Sequence, residues 1–327
     1  MSDLHSEAST SPAVVAFGGG HGLAASLAAL RRVTPNITAV VTVADDGGSS
    51  GRLRRDLGVL PPGDLRMALA ALCEDDEWGH TWSQVVQHRF GGPGDLAGHS
   101  VGNLLIVALW ELAADDPVQG LDWMGRLLKS TGRVLPMATV PLEIEASVEQ
   151  PDGCLAQVRG QEAVATATGR IVDVSLWPSR PPACAEAVVA IYQADWVVLG
   201  PGSWFTSVIP HLLVPELATA IGRTNARRMV VLNLEPQQGE TTGFTPASYL
   251  EVLEQHAPGL RIDVVLADPA AVADLDALEK AAANLGAEVR LAAVRDQSGL
   301  PMHDPDALAA ALRPVLTAPQ PPQTGPE

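Results

Sequence analysis

The chain has 327 residues, of which 46% are hydrophobic and 18% are charged, and its formal net charge is −17. A chain of this size can bury a large core, either as one α/β domain or as two smaller domains. The charge argues against a general nucleic-acid-binding protein, because phosphate contacts need a basic face and the sequence has no long run of lysines and arginines.

The cysteines and the hydropathy pattern indicate the environment of the protein. Cys73, Cys154 and Cys184 are widely spaced and form no CxxC motif, so we expect small buried side chains rather than disulfides or a zinc site. No apolar run reaches the roughly 18 residues of a membrane span, and the N-terminus has no signal-peptide pattern. The sequence therefore predicts a soluble, cytoplasmic protein without a membrane span.

Both termini are predicted to be disordered. Residues 1–12 are polar, and residues 317–327 are rich in proline. We expect a single α/β domain between them, at residues 13–316.

Five apolar runs rich in Val, Ile and Leu predict β-strands covered on both faces. The strands are predicted at residues 14–17, 37–43, 195–200, 229–234 and 262–268. Helical patterns separate most of them, at residues 23–32, 101–113, 203–213, 246–255 and 275–285. This alternation predicts a Rossmann-like α/β fold with a doubly wound, largely parallel sheet.

Two segments depart from this alternation. Residues 64–129 are mostly helical and are predicted to interrupt the sheet. Residues 141–178 alternate β-formers with polar residues around a Pro-Asp-Gly turn, which predicts a small antiparallel β insertion.

Four of the predicted strands end in glycine-rich or polar loops. These loops are GGGHG (18–22), ADDGGSSGR (44–52), GPGSWFTS (200–207) and NLEPQQGET (233–241). The carboxyl ends of parallel strands lie along one edge of a sheet, where such folds bind ligands. The sequence therefore predicts a nucleotide-sized site at this edge.

The first loop joins a strand to a helix, so its backbone N–H groups can face an anion. Its residues are Gly18, Gly19, Gly20, His21 and Gly22. It does not match the dinucleotide fingerprint, because Leu23 stands where a glycine is needed, and it has no Walker lysine. The loop argues against a dehydrogenase and against an ordinary ATP site, and a glycine turn without a ligand is the alternative.

The second loop combines two carboxylates with two hydroxyls and a guanidinium. Asp45 and Asp46 could hold a ribose hydroxyl, or a hydrated Mg²⁺ through one carboxylate each. Ser49, Ser50 and Arg52, on what we expect to be a flexible loop, could bind phosphate. The alternative is a solvated surface turn.

Two helix starts in the helical insertion carry polar side chains. Asp64 is predicted at a helix N-terminus, where an N-cap is the alternative role, and Arg66 in the first turn should have another partner because the helix end is itself positive. His99 and Asn103 are spaced at i and i+4, which predicts one helix face. A helix start with a packing glycine is the alternative for this pair.

The third and fourth loops supply further donors. The third suits a second phosphate through Gly200, Gly202, Ser203, Thr206 and Ser207. It lacks the GxSxG motif of a serine nucleophile, and we expect no catalytic residue. In the fourth loop, Asn233 and Gln238 could read a base edge or an acetamido group. The remaining histidines, His80 and His88 among them, form no metal pattern, and His211, His256 and His303 are expected at the surface or in packing.

With these residues in view, the chain resembles the YvcK/CofD-like family, and most closely its YvcK branch. The matching stretches, in family order, are GGGHGL (18–23), VTVADDGGSSGRLR (41–54), PPGDLRMALAAL (61–72), QHRF (87–90), GHSVGNLL (98–105), RVLPM (133–137), GPGSWFTSVIPHLLVP (200–215) and NLEPQQGETTGF (233–244). They extend over about residues 14–300. The SSGRL segment favours the YvcK branch, because the transferases differ after their paired acids.

The resemblance implies a regulatory protein that binds UDP-N-acetylglucosamine. Members of the YvcK branch are known as gluconeogenesis factors, which support cell shape and cell-wall synthesis during growth on gluconeogenic carbon. We expect no required cofactor, with Mg²⁺ as a candidate ligand of Asp45 and Asp46. We also expect a homodimer and a protein partner, still unidentified, in cell-wall regulation.

The CofD-like relatives supply the alternative, which is an enzyme. They are 2-phospho-L-lactate transferases of coenzyme F420 synthesis, and they handle a guanylylated lactate with a divalent metal in the equivalent cleft. In that case Asp45 or Asp46 would hold Mg²⁺. Many relatives have Thr at the position of His21 and Asn at that of Met67, and the missing polar group at Met67 weakens the case for a catalytic role of that helix end.

Overall fold

The structure is a computed structural model that describes residues 11–318. Most of both predicted tails therefore lies outside the described residues. Ser11 and Pro12, which we placed in the N-terminal tail, are tied to the fold: their carbonyl oxygens accept hydrogen bonds from Asn36 Nδ2 at 2.8 Å and from Thr34 Oγ1 at 2.6 Å.

Among residues 11–318, ten strands form two sheets. In chain order they are β1 (Val14–Gly18), β2 (Ile37–Val41), β3 (Arg133–Pro136), β4 (Glu143–Glu149), β5 (Leu155–Arg159), β6 (Arg170–Trp177), β7 (Trp196–Leu199), β8 (Arg227–Val231), β9 (Val264–Ala267) and β10 (Glu288–Leu291). Seven of them form one sheet in the order β10-β9-β8-β7-β1-β2-β3. All six strand pairs of this sheet are parallel.

Thirteen α-helices lie in the described part of the chain. They are α1 (Gly20–Leu30), α2 (Gly48–Leu57), α3 (Gly63–Ala71), α4 (Glu77–Gln87), α5 (Val101–Leu112), α6 (Pro117–Leu128), α7 (Gln161–Ala165), α8 (Ala185–Gln193), α9 (Pro210–Leu213), α10 (Pro215–Arg223), α11 (Pro246–His256), α12 (Leu275–Asn284) and α13 (Pro305–Leu316). Helices α3 to α6 stand between β2 and β3, as predicted for the helical insertion. None of the helices in the described part of the chain is both long and apolar enough to cross a membrane.

The strand order reverses at the centre of the large sheet. The chain runs outward from β1 through β2 to β3, returns to β7 on the other side of β1, and runs outward again to β10. This is a doubly wound α/β sheet, so the predicted fold class is confirmed. In such sheets the ligand crevice lies at the reversal, outside the carboxyl ends of the two central strands, which here are β1 and β7.

Strands β3 and β10 were not predicted, and they form the two edges of the large sheet. An edge strand buries less surface, so its apolar signal is weaker. Strand β10 is largely exposed, and β3 contains Pro136, which is tolerated at a sheet edge.

Strands β4, β5 and β6 form the predicted antiparallel insertion, in the order β5-β4-β6. The predicted Pro-Asp-Gly turn connects β4 to β5. Helix α7 was not predicted there and lies between β5 and β6. The strand β4 alternates buried and partly exposed residues, because one face of this sheet packs on the core.

The core contains His211 and confirms the predicted burial of two of the three cysteines. His211 is fully buried against Phe17, with ring centroids 5.2 Å apart, and burial lowers its pKa to about 4. Cys73 and Cys184 are buried as expected, but the prediction was wrong for Cys154. That residue is exposed because it follows the turn at the tip of the β4–β5 hairpin, where neither face is covered.

Candidate functional site

Two glycine loops meet at the reversal of the strand order. A Cβ added at Gly22, in the first turn of α1, would lie 2.4 Å from the carbonyl oxygen of Pro201 and 2.6 Å from the Cα of Gly202. Only hydrogen fits in that space. The loop after β1 and the loop after β7 therefore touch through their backbones. This close approach explains the glycine at position 22, whereas a Cβ at Gly202 would lie at least 3.8 Å from its neighbours.

Asn233 fixes the loop after β7 in this position. Its side-chain Oδ1 accepts from the N–H of Gly202 at 2.9 Å, and its Nδ2 donates to the carbonyl oxygen of Gly202, also at 2.9 Å. Gly202 has a φ of +147° and Gly200 a φ of +74°, conformations that favour glycine. Both ends of the Asn233 amide are thus used within the chain, in contrast to the ligand contact we expected from the sequence.

The segment after Gly202 differs from the continuous helix predicted at 203–213. Residues Trp204–Val208 form a single π-helical turn, in which Ile209 N–H donates to Trp204 O at 2.9 Å, and α9 follows. Pro210 has no N–H to continue the hydrogen-bond ladder, so the helix is interrupted there. Ser203, Thr206 and Ser207 therefore lie around a turn and not at the start of a long helix.

A carboxylate of the chain itself occupies this turn. Glu240, only 3% exposed, accepts from the N–H of Thr206 at 2.7 Å. Burial raises the pKa of Glu240, and its bonds to the turn oppose that rise. Thr206 and Ser207 are themselves buried. The predicted second phosphate position thus already holds a carboxyl group from the neighbouring loop.

Asp45 and Asp46 point to different partners. Asp45 Oδ1 accepts from Gly47 N–H at 3.0 Å, and its Oδ2 lies beside Gly63 and Ser50 Oγ, since a Cβ at Gly63 would be 2.8 Å from it. Burial is the main cause of the raised pKa of Asp45.

The carboxylate of Asp46 faces the β insertion. Its Oδ1 accepts from Glu162 N–H at 3.0 Å, in the first turn of α7, and a Cβ at Gly160 would lie 2.4 Å from its Oδ2. Because the two carboxylates do not converge, they do not form a ready-made two-carboxylate Mg²⁺ site. Among the described residues, no group of three or more His, Cys, Asp and Glu side chains is arranged to hold a metal ion.

The segment we expected to be a flexible loop is helical. Helix α2 begins at Gly48, so Ser49, Ser50 and Arg52 lie in its first two turns. The Arg52 guanidinium donates to the carbonyl oxygens of Ala97 at 2.7 Å and of Asp95 at 3.4 Å. Arg52 therefore holds the segment before α5 in place.

Asp64 lies beneath the first glycine loop. The N-cap of α3 is Pro62, so Asp64 is in the first turn and does not cap the helix, which excludes the alternative role. Its Oδ2 is buried without a hydrogen-bond partner among the described residues, and a Cβ at Gly19 would lie 2.4 Å from it. Burial, together with the charge of Asp45, raises the pKa of Asp64 to about 7.

Arg66 has the partners that its position demanded. It is 4% exposed, its Nε donates to Asn103 Oδ1 at 2.9 Å, and its Nη1 donates to Gln87 Oε1 at 2.9 Å. Asn103 Nδ2 in turn donates to Ser49 Oγ at 3.0 Å, and Ser49 Oγ lies 3.0 Å from His99 Nδ1. A chain of hydrogen bonds thus links α3, α5 and α2.

His99 and Asn103 lie near each other, but not on one helix face as predicted. Helix α5 begins at Val101 with Ser100 as its N-cap, so His99 precedes the helix and the two residues do not share a helix face. His99 lies in a short antiparallel pairing, where its carbonyl oxygen accepts from Phe90 N–H at 3.0 Å. The two side chains come together at Ser49.

The remaining predicted residues lie at the rim. His21, in the first turn of α1, and Gln238, in the loop after β8, are exposed. Gly18 and Gly20 have φ angles of +157° and +57°, which glycine tolerates where the chain leaves β1 and enters α1.

Two surface cavities lie away from this edge. One, of about 490 Å³, is lined by residues of α6 and β3 and the segment between them. The other, of about 270 Å³, lies near the ends of α2 and α5. Neither contains a residue that the sequence placed in the site.

Two residues at the site were missed by the sequence analysis, Glu240 and Arg89. Glu240 lies in the NLEPQQGET loop, where one acid among turn residues carries no spacing signal. Arg89 lies in the QHRF stretch, and its Nη1 donates to Gly98 O at 2.9 Å. A single arginine after a predicted helix does not indicate a binding site in the sequence either. Only the antiparallel pairing of residues 89 and 100 brings Arg89 near Asp45 and Arg66.

Comparisons with known proteins agree with the fold and the motifs. The family model described as 2-phospho-L-lactate transferase CofD matches residues 14–303. A protein of Mycobacterium tuberculosis (strain H37Rv) is 55% identical over 305 residues, which are 91% of this chain and 89% of that protein. The Gluconeogenesis factor of Bacillus subtilis (strain 168) is 37% identical over 263 residues, 80% of each chain, and the M. tuberculosis protein is named for the same factor.

A solved structure gives the same result in three dimensions. The crystal structure of a member of the UPF0052 family from Bacillus halodurans is 34% identical, with a TM-score of 0.82. The match covers 93% of this chain and 99% of that chain. From its fold, its motifs and these relatives, the chain belongs to the CofD family and, within it, to the YvcK-like gluconeogenesis factors.

Proposed function

We propose that this protein is a regulatory protein that binds a nucleotide sugar, UDP-N-acetylglucosamine, without consuming it. The observation that carries the proposal is the convergence of the loops after β1, β2, β7 and β8 on the reversal of the strand order. Ligands of doubly wound sheets bind there. The homologues named gluconeogenesis factor support a role in gluconeogenic growth.

The chemistry of the edge suits a polar ligand with several hydroxyls. Asp45 offers a carboxylate with a raised pKa beside the loop after β2. Exposed Gln238 offers a free amide on the loop after β8, where a base edge or an acetamido group could be read. In this proposal the protein works in the cytoplasm, as a homodimer, and passes its signal to a protein partner that controls cell shape and cell-wall synthesis.

The one serine–histidine pair of the site is poorly suited to nucleophilic catalysis. Ser49 Oγ is buried, and it accepts hydrogen bonds from Asn103 Nδ2 at 3.0 Å and from Ser100 N–H at 3.4 Å. The two accepted hydrogen bonds engage both lone pairs of the Ser49 oxygen, so none is free to attack a substrate even though His99 Nδ1 lies 3.0 Å away as a base. This arrangement favours binding over turnover.

The alternative is a CofD-type phosphotransferase, and the match to the CofD family model favours it. That chemistry uses a divalent metal, and the divergent directions of Asp45 and Asp46 do not support a metal site at this pair.

The test is a thermal-shift comparison of UDP-N-acetylglucosamine, UDP-glucose, GDP and NAD, with mass analysis of the recovered ligands. A ligand at a hundred times its Kd stabilises the fold by about 2.7 kcal/mol, which for a chain of this size is a rise of a few degrees in Tm. We expect the largest shift with UDP-N-acetylglucosamine, recovered unchanged. A shift with GDP alone, or conversion of the sugar nucleotide, would contradict the proposal and favour the transferase.

A further inference from the structure

The glycine-rich loops do not by themselves supply the positive charge that a diphosphate needs. The turn after Gly202 is occupied by the carboxylate of Glu240, and the loop after β1 lies against the carboxyl group of Asp64. Both acids sit where the backbone N–H groups would otherwise meet an anion. The charge for an anionic ligand must come from another part of the edge.

Arg66 is a buried cation without an anionic partner at bonding distance among the described residues. Its two hydrogen-bond acceptors are the neutral amide oxygens of Asn103 and Gln87. Within the described residues, its Nη2 has no hydrogen-bond partner and keeps access to solvent. Burying a charge is costly unless an opposite charge or hydrogen bonds compensate it. The free nitrogen is therefore a donor for an incoming anion.

Arg89 adds a second positive charge at the same place. Its backbone pairs with Ser100, and Gln87, which holds Arg66, is two residues away in sequence. The charge of Arg89 lies close enough to lower the pKa values of both Arg66 and Asp45. In the described part of the chain, neither arginine forms an ion pair, although the protein carries a net charge of −17. The charges of Asp64 and Asp45 oppose the effect of Arg89 on the pKa of Arg66, but neither carboxylate is at bonding distance from an arginine in the described residues. Two guanidinium groups without a direct anionic partner indicate an anion site.

The hydrogen-bond chain beside Arg66 has a fixed polarity. Arg66 Nε donates to Asn103 Oδ1, which directs the Asn103 amide N–H groups to Ser49 Oγ. With its oxygen accepting, the Ser49 hydroxyl donates to His99 Nδ1. Burial lowers the pKa of His99, in agreement with a neutral ring that accepts at Nδ1. The chain holds the planar guanidinium in one orientation.

The packing around Arg66 also requires this orientation. A Cβ at Gly102 of α5 would lie 2.9 Å from Arg66 Cδ and 2.7 Å from the carbonyl oxygen of Val86. Glycine at this position thus leaves the space through which the Arg66 side chain passes between α4 and α5.

We propose that Arg66 and Arg89 form the subsite for the diphosphate of the ligand, and that Ser49, His99 and Asn103 are positioning residues that orient Arg66. Ser49, His99 and Asn103, which the sequence suggested as ligand contacts, thereby act on the ligand through Arg66. The identity of the whole ligand rests on the proposed nucleotide-sugar function. The assignment of a diphosphate to Arg66 and Arg89 rests on their charges and does not depend on that function.

The test uses inorganic pyrophosphate, which has the diphosphate chemistry without base or sugar. Calorimetric titration should show binding to the wild-type protein and a loss of affinity of about 10- to 150-fold in Arg89→Ala, the range for one charge-assisted hydrogen bond. Arg89 is exposed, so the variant should fold. Arg290→Ala is the control, because it removes an exposed positive charge on the edge strand β10, away from the proposed subsite. Its affinity for pyrophosphate should stay within about twofold of the wild-type value, since no hydrogen bond to the ligand is lost.

The outcomes separate this inference from the proposed function. If the wild type does not bind pyrophosphate, or if Arg89→Ala binds it normally, the subsite is overturned, even where UDP-N-acetylglucosamine binds. If pyrophosphate binding depends on Arg89 but no nucleotide sugar binds, the subsite stands and the proposed ligand is wrong.

A double-mutant cycle tests the positioning residues. Ser49→Ala should weaken pyrophosphate binding in the wild-type background and have little further effect in Arg66→Lys, because lysine has no planar fork to orient. Ser49→Thr, which keeps the hydroxyl, should restore the affinity. Independent, additive losses in the two backgrounds would remove Ser49 from the positioning role.

Discussion

At the scale of single residues, Asp64 has the most informative environment. Its carboxyl group lies against Gly19, and one buried oxygen has no hydrogen-bond partner in the described part of the chain. The pKa of Asp64 is raised to about 7 by burial first and by the charge of Asp45 second. An unfolded chain would give this group a pKa of about 3.9. Between about pH 4 and pH 7, the native state therefore keeps a proton on Asp64 that the unfolded state has released.

This difference predicts a pH-dependent effect of Asp64→Asn. The native state binds the extra proton between about pH 4 and pH 7, so the contribution of Asp64 to the free energy of unfolding falls as the pH rises through that window. The neutral amide lacks this loss. Relative to wild type, Asp64→Asn should gain stability from pH 4 to pH 8, by up to about 4 kcal/mol.

Urea unfolding of both proteins at several pH values measures this gain. Asp276→Asn, at an exposed position in the first turn of α12, is the control and should follow the wild type. A constant difference between Asp64→Asn and wild type at all pH values would show that the pKa of Asp64 is the same in the native and unfolded states.

At the scale of elements, the site depends on contact between α1 and the loop after β7. The contact is made by Gly22 and Gly202, and Asn233 holds the loop from β8. Three strands thus contribute to one rigid junction.

Gly22→Ala should break this junction. Gly22 is helical, so alanine suits its backbone, but the new Cβ would lie 2.4 Å from Pro201 O. We expect a loss of about 1–3 kcal/mol from overpacking and weaker ligand binding. Gly222→Ala in α10 is the matched control, since its Cβ meets nothing within 4 Å and alanine favours a helix. Equal melting temperatures for Gly22→Ala and Gly222→Ala would mean that the loops after β1 and β7 can move apart without a loss of folding stability.

At the scale of the whole molecule, the β insertion connects two distant parts of the fold. Asp46, after β2, accepts from Glu162 N–H in α7, and Gln255 Nε2 of α11 donates to Val172 O of β6 at 3.1 Å. The insertion is therefore attached both to the site and to the helix after β8. Changes at the site edge can reach the insertion through Asp46.

Replacing Asp46 tests this attachment. Asp46→Ala removes the acceptor at the N-terminus of α7, so amide exchange at residues 161–165 should become faster, whereas Asp46→Asn keeps an acceptor oxygen and should leave exchange nearly unchanged. If Asp46 also contacts the ligand, Asp46→Asn should weaken binding by roughly tenfold to a hundredfold. Unaltered exchange in Asp46→Ala would show that other contacts hold the insertion.

The sequence by itself determined the fold class, the five central strands and both insertions. Their signals are local, because a strand buried on both faces must be apolar throughout. Edge strands β3 and β10 were missed because exposure relaxes that demand. The glycine loops could also be found from sequence, since they follow the strands.

Only the tertiary structure decided what each polar side chain does. Asn233 holds Gly202, Glu240 occupies the turn after it, and Ser49 joins His99 to Asn103. These pairings join residues 31 to 54 positions apart, and a polar side chain has the same local signature whether it meets a ligand or another segment. Long-range packing chooses between the two, because a buried polar group must find some partner and the fold decides which one is within reach.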